Sequence, residues 1–513
     1  MPFIRLIICL AFCCTALPSR ASLPAEVLTA LARAGMGPED ISVVVLDVDG
    51  NIDTPRLAHR AQVAMKPASV MKLTTTYAAL DLLGPAYTWS TPVYVDGTVQ
   101  DGTLHGTLYI KGQGDPKLVL ERLWLLLRRV QGLGIRHING SIVLDRSAWK
   151  LPDAAPGRFD GEPLRSYNAT PDALLVNYKA LLMRFTPHPA SNSAHIQFEP
   201  PLYGVHLQTS VPLNAATSCS DYRSALQADF SDPARIRFAH SYPLVCGEKV
   251  WHVAYADHDS YAPRAVQGLW LEMGGTLSGS VVYGTLPAAL ADTPPTLQAH
   301  SPPLAVVVRD INKYSNNVMA QQVFLTLGQV LPLGTVGGSN ASGAVGADIT
   351  VSAVSAGNAG NAGSADTPNS DLPPPVNSFA ASRKLLQAWW ISRFGSQQLP
   401  VWENGSGLSH QERISAQALA TMLQAAYHSA TMSELMASLP IVGVDGTLSR
   451  SKLQSGSAHL KSGNLDDVLS RAGYVDATNG KRYVLVAFIN HPRVDSEAAR
   501  GVLDGVLGWV VGM

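Results

Sequence analysis

Three short motifs, far apart in the chain, carry residue types that together can perform serine acyl transfer. The first is Ser-Val-Met-Lys, with Ser69 and Lys72 three residues apart and therefore on one face of a helix. A serine hydroxyl needs an adjacent base to act as a nucleophile. A lysine serves as that base only when burial or a neighbouring cation lowers its pKa. The motif predicts Ser69 as nucleophile and Lys72 as its base.

The second motif is Ser315-Asn316-Asn317, a Ser-x-Asn pattern expected on a loop or short helix that faces the first motif. The hydroxyl of Ser315 can pass a proton between Lys72 and a leaving amine. The amide of Asn317 can bind both the substrate backbone and Lys72.

The third motif is Lys461-Ser462-Gly463, expected on a strand. Lys461 supplies positive charge for a substrate carboxylate and helps to lower the pKa of the base lysine, and the Ser462 hydroxyl can bind the same carboxylate. Gly463 lets the substrate backbone approach the strand edge. The N–H of Asn464, together with that of Ser69, is the expected oxyanion hole.

Each motif taken alone is weak. Ser69 and Lys72 alone fit equally well a capping serine and a solvated lysine, because Ser-x-x-Lys matches arise by chance. The order and setting of the three motifs make the joint prediction stronger, since a helix start is followed by a loop and then by a strand, a hairpin and a terminal helix.

The elements that must position these motifs follow from hydrophobic periodicity and turn signals. Short strands and turns dominate after about residue 90, and Ser409 with Glu412 is read as a capping box ahead of a helix. The other predicted elements are strands over Ile41–Val48, Arg471–Asp476 and Arg482–Asn490, and helices over Ser69–Leu83, Asn312–Leu327, Phe379–Phe394 and Ala498–Val511.

The motifs and their surroundings resemble the class C low-molecular-mass penicillin-binding proteins, which are D-alanyl-D-alanine carboxypeptidases and endopeptidases. The resemblance covers nearly the whole mature chain. The stretches that carry it are Pro67–Leu73, Lys111–Pro116, Asn312–Asn317, Gly405–Ser409 and Asp445–Leu448. It implies an α/β (α+β) transpeptidase/β-lactamase-like domain, with an antiparallel sheet flanked by helices, formed by residues 22–89 and 297–513. Residues 90–296 would form one or two inserted β-rich domains.

The resemblance also implies a reaction on peptidoglycan stem peptides and cross-links. Ser69 would attack the carbonyl of a D-Ala-D-Ala peptide, and water would release the acyl-enzyme; penicillin and other β-lactams would acylate the same serine. No cofactor is expected. Ser462 stands where the family usually has threonine, and His410 stands where it often has arginine. Asp153 resembles an acidic residue that the family places near the substrate side chain, although a loop aspartate that caps a turn is an equal alternative.

Composition and processing signals bound the setting. The chain has 513 residues and a formal net charge of -1, which excludes the basic footprint of a nucleic-acid binder. Residues 1–21 read as a cleavable signal peptide, so we expect export to the periplasm and no transmembrane segment in the mature chain. Residues 333–377 read as a disordered low-complexity insertion. Cys219 and Cys246 are expected to form a disulfide, with two isolated thiols as the alternative. No metal site is expected.

Two rival functions remain open at this point. Tyr314-Ser315-Asn316 can be read as the Tyr-x-Asn motif of a serine β-lactamase, because the two frames overlap. A non-catalytic protein that binds peptidoglycan through the inserted region is the other.

Overall fold

The computed structural model describes residues 23–152, 155–219, 221–330, 378–494 and 496–513. The expected signal peptide, the low-complexity segment 333–377 and Asp153 lie outside the described residues. The α-helices are α1 (Ala25–Ala34), α2 (Lys72–Leu83), α3 (Leu120–Gly132), α4 (Tyr222–Leu226), α5 (His258–Glu272), α6 (Ala288–Ala291), α7 (Leu304–Tyr314), α8 (Asn317–Val330), α9 (Phe379–Phe394), α10 (Ala416–Tyr427), α11 (Met432–Ser438) and α12 (Glu497–Val511).

The strands form one five-stranded sheet from the two ends of the chain, sheets of seven, five and three strands from its middle, and one two-stranded sheet. They are β1 (Ile41–Asp47), β2 (Leu57–His59), β3 (Ala64–Met65), β4 (Ser90–Gln100), β5 (Thr103–Lys111), β6 (His137–Asn139), β7 (Ile142–Asp145), β8 (Ala180–His188), β9 (Ser193–Glu199), β10 (His206–Leu207), β11 (Ser210–Asn214), β12 (Ala228–Asp232), β13 (Arg235–Phe238), β14 (Tyr242–Pro243), β15 (Lys249–Ala254), β16 (Thr276–Leu277), β17 (Val281–Tyr283), β18 (Leu297–His300), β19 (Ile414–Ser415), β20 (Ala458–Leu465), β21 (Val468–Asp476) and β22 (Arg482–Asn490).

The sheet that carries the third motif has the order β2-β1-β22-β21-β20, and every neighbouring pair in it is antiparallel. Alternate residues of β1 enter different cores, because side chains of a strand point to opposite faces. Val43 and Val45 pack with α1 and α12 on one face, whereas Val44 and Leu46 pack with α2, α7, α8 and α10 on the other. The expected α/β fold, an antiparallel sheet between helices, is therefore confirmed.

Residues 90–296, which we call the inserted region, contain a seven-stranded sheet that extends beyond the expected boundary. Strand β18 (297–300) pairs with β4, so sheet membership continues to His300. The chain leaves and re-enters at adjacent points, because Ser301 N–H donates to Trp89 O at 2.9 Å. Short strands were predicted here from the sequence, and helices α3 and α5 were not predicted. Their apolar faces pack into the core of the region.

Two of the helices near the motifs differ from the sequence prediction. Ser69 lies in a 3-10 turn, Ala68–Met71, that precedes α2. The helix predicted over 312–327 is two helices, α7 and α8, because Ser315 adopts a left-handed conformation with φ of 57° and ends α7.

The capping-box prediction at Ser409 was also wrong. Helix α10 begins at Ala416, and the side chain of Ser415 caps it. The Ser409 hydroxyl instead accepts hydrogen bonds from the N–H groups of Gln411 and Glu412 in a turn.

Candidate active site

Ser69 and Lys72 meet at the start of α2. In a 3-10 turn, residues three apart eclipse each other, which aligns the two side chains. Lys72 Nζ lies 2.9 Å from Ser69 Oγ. Ala68, directly before the serine, has a φ of 49°, so the backbone there is in the left-handed region that non-glycine residues rarely adopt. Strained backbone of this kind persists where the surrounding structure holds it.

Lys72 is completely buried and its side-chain nitrogen has three oxygen neighbours. Besides Ser69 Oγ, Nζ lies 2.5 Å from both Asn317 Oδ1 and the carbonyl oxygen of Ser406. Burial holds the pKa of Lys72 well below its usual value; the positive charge of Lys461 lowers it further, and the negative charge of Glu412 opposes the shift. The geometry and the lowered pKa together suit a lysine that accepts the serine proton.

The second motif is brought to the first by the break between α7 and α8. Asn317 opens α8, accepts from Lys72 and donates through Nδ2 to the carbonyl oxygen of Tyr167 at 3.0 Å. Ser315 Oγ accepts a hydrogen bond from Lys461 Nζ at 2.9 Å. Tyr314 is 68% exposed. The frame that faces both lysines is therefore Ser-x-Asn and not Tyr-x-Asn.

The third motif lies on β20, at the edge of the central sheet. Lys461 is fully buried, and burial lowers its pKa to about 7. The Ser462 hydroxyl is hydrogen-bonded to the hydroxyl of Thr447 at 2.7 Å. A methyl group at Gly463 would lie 3.0 Å from Ser69 N, so glycine permits the close approach of the strand to the nucleophile. The oxyanion role of Asn464, the next residue on this strand, stays a prediction.

A loop outside the three motifs supplies the third oxygen around Lys72. This loop, residues 403–407, folds around the carboxylate of Glu412, which accepts four backbone hydrogen bonds of 2.8 to 3.0 Å. Gly405 and Gly407 have φ of 73° and 81°, conformations that favour glycine. In the sequence, the only indication of this loop was the Gly405–Ser409 stretch, which carries part of the family resemblance.

A second supporting contact joins the ends of the other two motifs. Lys313, two residues before Ser315, places Nζ 2.5 Å from Asp445 Oδ2, and Asp445 Oδ1 accepts from the N–H of Ile441 at 2.8 Å. The loop that carries Ile441 and Asp445 continues to Thr447, the hydrogen-bond partner of Ser462. Neither Lys313 nor Thr447 has a role predicted from the sequence, since both act through other residues of the motifs.

The profile of one protein family matches both halves of the chain that build this site. It is the D-Ala-D-Ala carboxypeptidase 3 (S13) family, and the match spans residues 25–358 and 392–510. The chain belongs to this family. It is thus a serine-type D-Ala-D-Ala peptidase of the hydrolase class, and the expected membership of the class C low-molecular-mass penicillin-binding proteins is confirmed.

Two curated members of the family are similar over most of their length. D-alanyl-D-alanine carboxypeptidase DacB of Haemophilus influenzae is 25% identical over 449 residues, covering 83% of this chain and 80% of the relative. D-alanyl-D-alanine carboxypeptidase of Actinomadura sp. strain R39 is 23% identical over 435 residues, covering 81% and 71%.

Solved structures show the same fold. The crystal structure of penicillin binding protein 4 (dacB) from Haemophilus influenzae superposes with a TM-score of 0.67 at 19% identity, and it covers 95% of this chain and 99% of that chain. The same protein complexed with a β-lactam gives 0.63 at 20% identity, over 95% and 98%.

The other residues singled out from the sequence lie outside the contacts of the three motifs. His410 stacks on Phe159 with ring centroids 4.4 Å apart and lies on a cavity of about 610 Å³ that also borders Gln321 of α8. Cys219 and Cys246 form the expected disulfide, within the inserted region. Within the described ranges, no three His, Cys, Asp or Glu side chains are arranged to hold a metal ion. No helix in that same part of the chain combines the length and apolarity needed to cross a membrane.

Proposed function

We propose that this enzyme is a D-Ala-D-Ala carboxypeptidase and endopeptidase that cleaves peptidoglycan stem peptides and cross-links through an acyl-enzyme on Ser69. The observation that carries the proposal is the 2.9 Å contact between Lys72 Nζ and Ser69 Oγ, made by a buried lysine whose pKa is held well below its usual value. A neutral lysine at that distance is within reach of the serine proton.

The first half-reaction forms the ester and releases the leaving amine. Ser69 Oγ bonds to the substrate carbonyl carbon while its proton moves to Lys72, and the oxyanion is stabilised by the N–H groups of Ser69 and Asn464. Ser315, hydrogen-bonded to Lys461, passes the proton held by Lys72 to the departing nitrogen as the peptide bond breaks, so Lys72 is neutral again. Lys461 and Ser462 hold the terminal carboxylate, and Asn317 and Gly463 position the substrate backbone.

The second half-reaction reverses these roles. Water adds to the ester carbonyl and gives a proton to Lys72, and the Ser69 oxygen leaves as a hydroxyl once the proton returns to it. A β-lactam enters the same sequence, because its strained amide carbonyl presents the same electrophile to Ser69. Asp153 is proposed to contact the substrate side chain.

Comparing wild type with Ser69→Ala tests the nucleophile. Both proteins are incubated with muropeptides, and the products are analysed by mass spectrometry. We expect the variant to be inactive and unlabelled by fluorescent penicillin while it melts at the wild-type temperature. Equal product formation by the two proteins would refute Ser69 as the nucleophile.

Fluorescent penicillin also distinguishes the proposed peptidase from the two rival functions. A serine β-lactamase would turn over penicillin rapidly in steady state, whereas the proposed peptidase holds a long-lived adduct. A non-catalytic peptidoglycan-binding protein with intact Ser69 would not be labelled at all. The position of Ser315 Oγ on Lys461, with Tyr314 in solvent, favours the peptidase.

We propose that the chain acts in the periplasm, that residues 1–21 are removed on export, and that residues 22–89 and 297–513 form the catalytic domain around the inserted region. The apolar run from Leu6 to Leu17 and the Cys219–Cys246 disulfide support export. Fractionation of the host and the mass of the mature protein test it. An uncut chain in the cytoplasm would contradict the proposal.

A further inference from the structure

A fully buried carboxylate lies behind the base lysine. Glu412 has no exposed surface, and the hydrogen bonds described for it come from the backbone N–H groups of residues 403, 404, 405 and 407. Transfer of a carboxylate from water into a protein interior is costly, and charge-assisted hydrogen bonds offset that cost. Burial raises the pKa of Glu412, and the four backbone hydrogen bonds of the loop oppose that shift and favour the charged form.

That loop aims one backbone oxygen at the reaction centre. With the neighbouring N–H groups pointing inward to Glu412, the carbonyl of Ser406 points to Lys72 Nζ at 2.5 Å. Asn404 Oδ1 fixes Ser406 from the other side, since it accepts from Ser406 N at 2.9 Å and from Ser406 Oγ at 2.7 Å. The orientation of Lys72 towards Ser69 thus depends on a carboxylate that does not contact the nucleophile.

We propose that Glu412 is a positioning residue of the acylation reaction, which presents the Ser406 carbonyl to Lys72 and places a negative charge behind that lysine. The inference rests on the proposed function and extends it to a residue outside the three motifs.

Two charged groups of opposite sign act on Lys72 from different elements. Lys461 on β20 lowers the pKa of Lys72, and Glu412, in the turn before α10, raises it. The other atoms on Nζ, from Ser69, Asn317 and Ser406, are neutral oxygens. Removal of the Glu412 charge therefore lowers the pKa of Lys72 further. Because the base must be neutral to accept a proton, the acid limb of the acylation profile should move to lower pH.

Substitution Glu412→Gln tests position and charge together. The side chain keeps its size, but the new NH₂ group faces backbone N–H donors, so part of the loop loses its acceptor. We expect the acylation rate constant at the pH optimum to fall about 100-fold, the effect of a misplacement of about 1 Å in an active site. Glu412→Asp retains the charge and should keep the wild-type acid limb at a reduced rate.

Glu403→Gln is the matched control, because Glu403 lies in the same loop and its carboxylate accepts from the Ser409 hydroxyl. A change that merely loosened the loop would lower the rate in either variant without moving the acid limb. The acid limb should move in Glu412→Gln and stay at its wild-type position in Glu403→Gln.

The closing experiment measures two quantities in each variant: the acylation rate with fluorescent penicillin as a function of pH, and the titration of Lys72 by NMR of isotope-labelled lysine. We expect both midpoints to fall in Glu412→Gln and to stay in Glu412→Asp and Glu403→Gln. An unchanged midpoint of the Lys72 titration in Glu412→Gln would overturn the inference. If Glu412→Gln does not fold, a shifted midpoint of the Lys72 titration in Glu412→Asp would overturn it. Labelling of Ser69→Ala would instead overturn the nucleophile, since the Lys72 titration does not depend on acylation.

Discussion

The alkaline limb of peptidase activity should be set by Lys461. Burial lowers the pKa of Lys461 to about 7, and its Nζ lies 2.9 Å from Ser315 Oγ. Burial lowers the pKa of Lys72 and the charge of Lys461 lowers it further, which favours the state with Lys72 neutral and Lys461 charged. The active form holds one proton on the pair, and that proton is on Lys461.

The magnitude follows from this pKa. Above about pH 7 the charged fraction of Lys461 falls tenfold per pH unit, so at about pH 9 roughly 1% of the enzyme binds the terminal carboxylate productively. The ratio kcat/KM reports groups of the free enzyme. For a D-Ala-D-Ala peptide with a free carboxylate it should therefore fall about 100-fold from its plateau below about pH 7 to its value at about pH 9, which corresponds to about 2.7 kcal/mol.

Two controls isolate the charge of Lys461. A peptide whose C-terminus is an amide lacks the carboxylate, so its kcat/KM should be low throughout and should lack this limb. The variant Lys461→Arg keeps a cation at every accessible pH, so its profile should stay flat on the alkaline side whatever its absolute rate. A wild-type profile that stays flat to about pH 9, or an equal limb with the amide, would refute the reasoning.

Three further predictions concern other contacts. Tyr314→Phe should leave the penicillin acylation rate within about twofold, because the side chain is exposed; a loss comparable to that of Ser69→Ala would restore the β-lactamase frame. Replacement of both Cys219 and Cys246 by alanine should destabilise the inserted region by about 3.5 kcal/mol, worked from their separation of 27 residues. Limited proteolysis of the inserted region should become faster while acylation of Ser69 persists. An unchanged cleavage rate would contradict the expected loss of stability. Lys313→Met should leave Asp445 without its cation and cost about 1 kcal/mol, because the Asp445 side chain is 37% exposed and water replaces part of the contact, and acylation should be slower in stopped-flow labelling; Asp445→Asn should mimic it, and a wild-type rate in both would exclude a positioning role.

The sequence predicts those parts of the site in which functional side chains lie only a few residues apart along the chain. Ser69 with Lys72, and Lys461 with Ser462, are each separated by at most one helical turn or one strand step. Glu412 could not be recognised in this way, because it acts on backbone N–H groups and, through them, on a carbonyl oxygen. A carbonyl is present at every residue, so its position depends on the folded loop.

The fold shows the same division. The apolar runs of β1 and β22 indicate strands buried on both faces, but their pairing joins residues from opposite ends of the chain and depends on the tertiary structure. Helix α3 could have been predicted, since Leu123, Leu126, Leu127 and Val130 recur with helical spacing and are all buried. The break at Ser315 could not, because a serine seldom adopts the left-handed conformation.

The adjacent exit and re-entry of the inserted region have a consequence for how its length can vary. A short turn from Trp89 to Ser301 would close the same chain path, and loop-closure entropy changes only slowly with loop length. The segment that carries Tyr167 and Asp172 is different, because Asp172 exchanges hydrogen bonds of 3.0 and 2.9 Å with Gln322, a fully buried residue of α8. The sheets of the inserted region that lie away from α8 can therefore be shortened or exchanged. If that segment were removed, polar groups of α8 near Asn317 would lose their hydrogen-bond partners.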